Sequence, residues 1–184
     1  VTLDQGGGNE LIYFWHWLNN ESVMTPATGY EISRIAPHAG KFTFRGELNT
    51  SDIDTILTIT PGMFFKGQHV VANPYVTGLD IKTGLELGTN GNTTFIKSVC
   101  LFHTGTPDEW ETEIGNEGNA PGQYTVVPQQ NAGSGGLPAT IASMQGFVVT
   151  LDPNVTATLT NAAQRTLKFK YAGAKANTPM RSNE

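Results

Sequence analysis

Lys41 to Leu48, "KFTFRGEL", places Phe42, Phe44 and Leu48 on one side of an extended chain and Lys41, Thr43, Arg45 and Glu47 on the other. A period of two fits a β-strand with one covered face and one wet face, and it does not fit a helix, whose faces return about every 3.6 residues. The device returns at Thr166 to Tyr171, "TLKFKY", with Leu167, Phe169 and Tyr171 inward, and at Val155 to Thr160, where Val155, Ala157 and Leu159 alternate with threonines. Further strands are expected at Leu11 to Leu18, Tyr30 to Ala36, Thr55 to Thr60, His69 to Ala72, Thr94 to His103, Gln123 to Val127 and Gln145 to Leu151. Each is bounded by glycine, proline or asparagine. Roughly ten short strands separated by turn residues predict an all-β fold, an antiparallel β-sandwich or jelly roll. The chain offers no long amphipathic helices between strands, which argues against an α/β layout.

One short helix is expected. Thr106 can cap it, Pro107 fits its first position, and Glu109 stands three residues after the cap, just ahead of Trp110. Gly115 would end it. The stretches "GNEGNAPGQY" and "QQNAGSGGLPAT" read as long Gly/Asn-rich surface loops on either side of the strand around Tyr124.

A chain of 184 residues suits one domain with a real core, expected over residues 1–175, and the loss of periodicity after Tyr171 leaves 176–184 as a linker or tail. Eleven basic and sixteen acidic side chains give a net charge of -5, so the electrostatic footprint of a nucleic-acid partner or an anionic lipid surface is missing. Cys100 is the one cysteine, which excludes an intrachain disulfide and a thiolate metal cluster. The longest apolar run, Leu11 to Trp17, is interrupted by His16 and is too short to span a bilayer, so no membrane insertion is expected. With no start methionine and no basic leader, the chain reads as a piece of a longer protein.

The stretch "HVVANPYVTGLDI", His69 to Ile81, begins as a strand and then meets a proline. Proline cannot donate to a ladder, so Asn73 and Pro74 must stand at a strand end, a bulge or an edge, with Asn73 pushed toward an extended conformation. Asn73 can bond nearby backbone and Tyr75 can cover the turn with its ring. Asn73, Pro74 and Tyr75 are therefore read as a structural corner between sheets.

Taken in order, "GYEISR" at Gly29 to Arg34, "FTFRGELNTSDIDTILT" at Phe42 to Thr58, "HVVANPYVTGLDI", "SVCLFHTG" at Ser98 to Gly105 and "IASMQGFVV" at Ile141 to Val149 carry a resemblance. Together they are similar to the C-terminal β-rich regions of large secreted or surface proteins of the Bacteroidetes, which include adhesin-associated cargo of the type IX secretion route. The resemblance spans roughly residues 11–175 and rests on the order and spacing of the pieces. One departure is Ile81, which follows Asp80 where such proteins commonly carry tryptophan. The resemblance implies a β-sandwich and an extracellular or cell-surface location, and it implies little about activity.

The candidate site residues fall into several classes. His16, His38, His69 and His103 lack metal-ligand spacing and read as unrelated histidines. Asp52 and Asp54 offer hard oxygen ligands suited to calcium, although no loop matches the EF-hand pattern, and no other cofactor is expected. Trp110, Tyr124, Trp15 and Trp17 are the aromatic candidates for stacking against a sugar. Asp54-Thr55-Ile56 resembles the acceptor triplet that Bacteroidetes use for O-linked glycans, with Thr55 as the modified residue. The expectation is a non-catalytic accessory, adhesive or structural module of an exported surface protein. Its partners would be a glycan, a host or neighbouring surface protein, or neighbouring domains of a longer parent chain. A carbohydrate-binding module is the alternative. A hydrolase domain is disfavoured, because no cluster of titratable groups is legible.

Overall fold

The computed structural model describes residues 22–30, 44–59, 67–88, 94–103, 123–152, 154 and 162–175. Ten strands run through them: β1 Ile53–Ile56, β2 Gln68–Ala72, β3 Gly78–Asp80, β4 Leu85–Leu87, β5 Phe95–Phe102, β6 Tyr124–Pro128, β7 Thr140–Ile141, β8 Gly146–Leu151, β9 Thr166–Phe169 and β10 Ala174–Lys175. Among the described residues the remaining regular structure is three short 3-10 turns, at Gln129–Asn131, Ala162–Arg165 and Tyr171–Gly173, and the helical residue Asn154. No described helix is long and apolar enough to cross a membrane.

The strands form three sheets, with every pairing antiparallel. The largest has the order β2-β8-β5-β6, the second β1-β9-β4, and the third β10-β3-β7. Strand β8 shows why the large sheet forms: Phe147, Val149 and Leu151 are buried while Gly146, Val148 and Thr150 alternate with them on the outer side. Register then sorts the neighbours. Val71 of β2 lies opposite Phe147, Val99 of β5 opposite Val149, and Val127 of β6 opposite Val99, so all of these meet on the inner face. A slip of one residue in any strand would turn its apolar set outward.

The inner face of β9, Leu167 and Phe169, closes on this layer, and the Phe147 and Phe169 rings meet edge to face with centroids 6.2 Å apart. That contact makes the two larger sheets a sandwich. Each fully buried side chain of this size adds about 1.5–3 kcal/mol. The small third sheet contributes Leu79 and Ile141 to the same core cluster, together with Ile81 just beyond β3. In β5 the register shifts between Phe95 and Val99, and beside this irregularity the Lys97 amine donates to the Leu87 carbonyl at the end of β4. A Cβ on Gly173 would collide with the backbone of Gly84, so these two chain segments touch because both positions are glycine.

Several expectations need correction. Over the described part of the Lys41 to Leu48 segment, residues 44–48, there is no strand, and Phe44 and Leu48 are 45% and 65% exposed. The alternation there is real, but no neighbouring layer covers its apolar side. Leu167 and Phe169 do point inward, whereas Tyr171 is exposed, because the chain leaves β9 after Phe169 and turns. Strands β3, β4, β7 and β10, of two or three residues each, were not anticipated. The expected strand at Leu11 to Leu18, that at Val155 to Thr160, the helix at Thr106 and the tail 176–184 lie outside the described residues.

Candidate functional site

Two features stand out, one buried and one exposed. The buried one is the corner after β2. Asn73 is 2% exposed, and its Nδ2 donates to the carbonyls of Thr77 at 2.8 Å, Ala142 at 3.0 Å and Ile141 at 3.2 Å. Its Oδ1 accepts from the Tyr75 backbone N–H at 3.0 Å. Two amide hydrogens thus serve three carbonyls, so one must be shared. Pro74 cannot donate, but its carbonyl accepts from Asn49 Nδ2 at 2.7 Å. The Tyr75 ring is buried, and its hydroxyl is shared between the carbonyls of Phe169 at 2.8 Å and Ser51 at 3.0 Å. Burial first, then the nearby Asp52 charge and Tyr171, push the Tyr75 phenol up to about 12.

Asp52 closes the same corner from outside. Its Oδ2 accepts from the Lys170 amine at 2.7 Å and its Oδ1 from the Tyr171 backbone N–H at 2.8 Å. These bonds, the Lys170 one foremost, hold the Asp52 carboxyl below the usual carboxylate range. Asp54 stands 3.7 Å from the Lys168 amine, across the β1–β9 pair. Both aspartates suggested as calcium ligands therefore face lysines. Among the described residues no group of three or more histidine, cysteine or acidic side chains comes together to hold a metal. Thr55 is half-buried on β1, opposite Leu167 of β9 and on the same face.

The exposed feature is the outer face of the β2-β8-β5-β6 sheet. Tyr124 packs its ring against Phe102 at 5.2 Å, and both are substantially exposed. Next to that pair runs a row set by register: Val70 opposite Val148, Val148 opposite Cys100, and Cys100 opposite Val126. Phe102, Ile96, Val70, Val126 and Tyr124 are between 42% and 55% exposed. Burial pushes the Cys100 thiol up, so it is a poor nucleophile at neutral pH. Of the aromatic candidates Tyr124 lies on this face, while Trp15, Trp17 and Trp110 lie outside the described residues. Phe102, Val70 and Val126 were missed in the sequence. The signal that could have found them is an apolar residue at the solvent-side position of each of three neighbouring strands.

Neither feature gathers a nucleophile with a base or a pair of free carboxylates. The corner holds two sheets together, and the outer face presents uncharged apolar surface. No family model matches the chain, and no solved structure matches it. The chain is similar to the minor fimbrium subunit Mfa5 of Porphyromonas gingivalis, 32% identical over 177 residues, in an alignment that covers 88% of this chain and 14% of that protein. It therefore spans about one seventh of the length of the relative it matches.

Proposed function

We propose that this chain is a non-catalytic structural or adhesive module of a surface protein that takes part in a fimbria-like appendage. The similarity to a fimbrium subunit over 88% of the chain carries this reading. Two features of the molecule support it. The polar groups at the buried corner are engaged in holding strands, and the exposed apolar side chains of the large sheet suit contact with another surface. Export by the type IX route is the finer form of the reading, supported by the resemblance of the ordered motifs to cargo of that route.

The test uses the parent protein in its own host, tagged within this region. The tag should be accessible to protease on intact cells and should co-purify with filaments sheared from them. A tag that stays protected and fractionates with cytoplasm overturns the proposal. The sugar-binding alternative draws on the Phe102–Tyr124 ring pair, but sugar hydroxyls need amides or carboxylates beside the rings. The adjacent row is valine and cysteine, which favours an apolar partner.

A further inference from the structure

We propose that residues 169–173, where the chain crosses from β9 to β10, are a mechanical latch that keeps tension applied beyond Lys175 from reaching the sandwich. The crossing is held from three segments remote in sequence. From the corner after β2, the Tyr75 hydroxyl donates to the Phe169 carbonyl at 2.8 Å. In the turn between β3 and β4, the Gly84 carbonyl accepts from the Lys170 backbone N–H at 2.9 Å. Just ahead of β1, Asp52 takes the Lys170 amine at 2.7 Å on one oxygen and the Tyr171 N–H at 2.8 Å on the other. The Tyr171 ring rests edge-on against the Tyr75 ring with centroids 5.4 Å apart, and Gly173 sits directly on the Gly84 backbone.

The order of yielding follows from what each part holds. Strand β10 pairs with β3 through Ala174 and Lys175 alone, and so short a ladder opens first under a pull. Behind the latch stands β9, the middle strand of the second sheet, whose Leu167 and Phe169 are fully buried in the core. Drawing β9 out would open the sandwich. The latch therefore decides whether a pull undoes two residues of ladder or the whole fold. Its bonds meet the load together, since both oxygens of Asp52 hold neighbouring residues and the Tyr75 hydroxyl holds the residue beside them. Resistance to force is set by the unfolding barrier, and bonds that must break together all enter that barrier. The use of such a latch rests on the reading above, because a module of a surface appendage is open to pulling; the latch itself is tested on the isolated chain.

Optical tweezers load the molecule across the crossing when one handle is on Cys100, the native thiol on β5 between β8 and β6, and the other is attached through Asn183→Cys. Alkaline pH during labelling ionises the Cys100 thiol, which burial otherwise keeps protonated. Held at constant force, the wild type should lengthen slightly as β10 detaches, dwell, and then open in one large step. Tyr75→Phe should shorten the dwell about tenfold, and Asp52→Ala about threefold, since its bonds are open to water. Val127→Ala, buried in β6 away from the crossing, should lower the urea midpoint yet leave the dwell unchanged, which separates a latch from a general loss of stability. Far-ultraviolet circular dichroism verifies that every variant is folded. A dwell that Val127→Ala shortens as much as Tyr75→Phe does, a dwell that both latch variants leave untouched, or opening with no dwell at all overturns the proposal. None of these results bears on surface location, which the protease experiment reads separately.

Discussion

The Tyr75 hydroxyl donates to the Phe169 carbonyl at 2.8 Å across 94 residues of sequence. The bond joins the turn after β2 to the last residue of β9, and so links the two large sheets at a point where neither sheet's own ladder can reach. Around it, the Tyr75 and Tyr171 rings meet edge to face at 5.4 Å, and Ser143 Oγ donates to the Tyr75 carbonyl at 3.3 Å.

Tyr75→Phe keeps the ring and removes the donor. It should destabilise the fold by about 1–3 kcal/mol, because the Phe169 and Ser51 carbonyls lose their shared partner. The pH dependence has a definite sign. The folded phenol ionises near 12 against an ordinary value of 10, so below pH 10 its contribution is complete. Between 10 and about 12 the unfolded chain ionises while the folded chain does not, and stability falls. Urea titrations at pH 8 and pH 11 should show the gap between wild type and Tyr75→Phe narrowing at the higher pH, and an unchanged gap would contradict the assignment.

Asn73→Ala should cost about 3 kcal/mol or more, since it strands buried carbonyls and the Tyr75 N–H at once. Asn73→Asp should be worse near neutral pH, because a carboxylate cannot donate and would face the carbonyls of Thr77, Ala142 and Ile141. Thermal unfolding of the two variants at neutral pH gives the order directly. An aspartate variant as stable as wild type would mean that the side-chain nitrogen is not the group facing those carbonyls.

His69 has one ring nitrogen bonded to the Thr58 carbonyl, while its Nε2 is buried without a partner. Burial pulls the imidazole below its usual 6.5. Above that value both states are neutral there and nothing is lost. As pH falls through it, the unfolded chain takes up a proton that the folded ring resists, and stability drops until the folded value is passed. His69→Gln should flatten this acid-side slope between pH 7 and pH 5, read by the urea midpoint.

Phe147→Ala should cost about 3–5 kcal/mol, since the ring is fully enclosed against Phe169. Phe44→Ala, at a half-exposed ring, should cost less than about 1 kcal/mol. Comparable losses at the two positions would show that Phe44 is covered after all.

The strands that could be read from the sequence are those long enough to display alternation, such as Gly146–Leu151 with its strict inward and outward sequence. Strands of two or three residues, such as Leu85–Leu87 and Ala174–Lys175, have too few positions to show any period and are defined only by their partners. Phe44 shows the opposite failure: its pattern is amphipathic, but whether a face is buried is decided by what lies opposite it. At the corner, the short-range bond from the Tyr75 N–H to Asn73 is of the kind asparagine in a turn advertises. Ser51, Ile141, Ala142 and Phe169 are remote in sequence, and no local pattern names them. The outer face escaped notice for a similar reason, since Val70, Val126 and Phe102 come from three strands that register alone brings side by side.

Beside β2, the stretch Ala27–Gly29 lies antiparallel, with Thr28 bridged to Val71, the Ala72 N–H donating to the Ala27 carbonyl at 3.1 Å and the Gly29 N–H to the Val70 carbonyl at 3.3 Å. Among the described residues, β6 at the far margin has no strand beyond it. Among the described residues the two borders of the large sheet therefore differ, the β2 side carrying the Ala27–Gly29 stretch as an added backbone partner. That added partner closes off the Val70 and Ala72 backbone groups which an edge strand would otherwise leave to water, and Pro128, which has no N–H to offer, shortens the ladder that the β6 side can present.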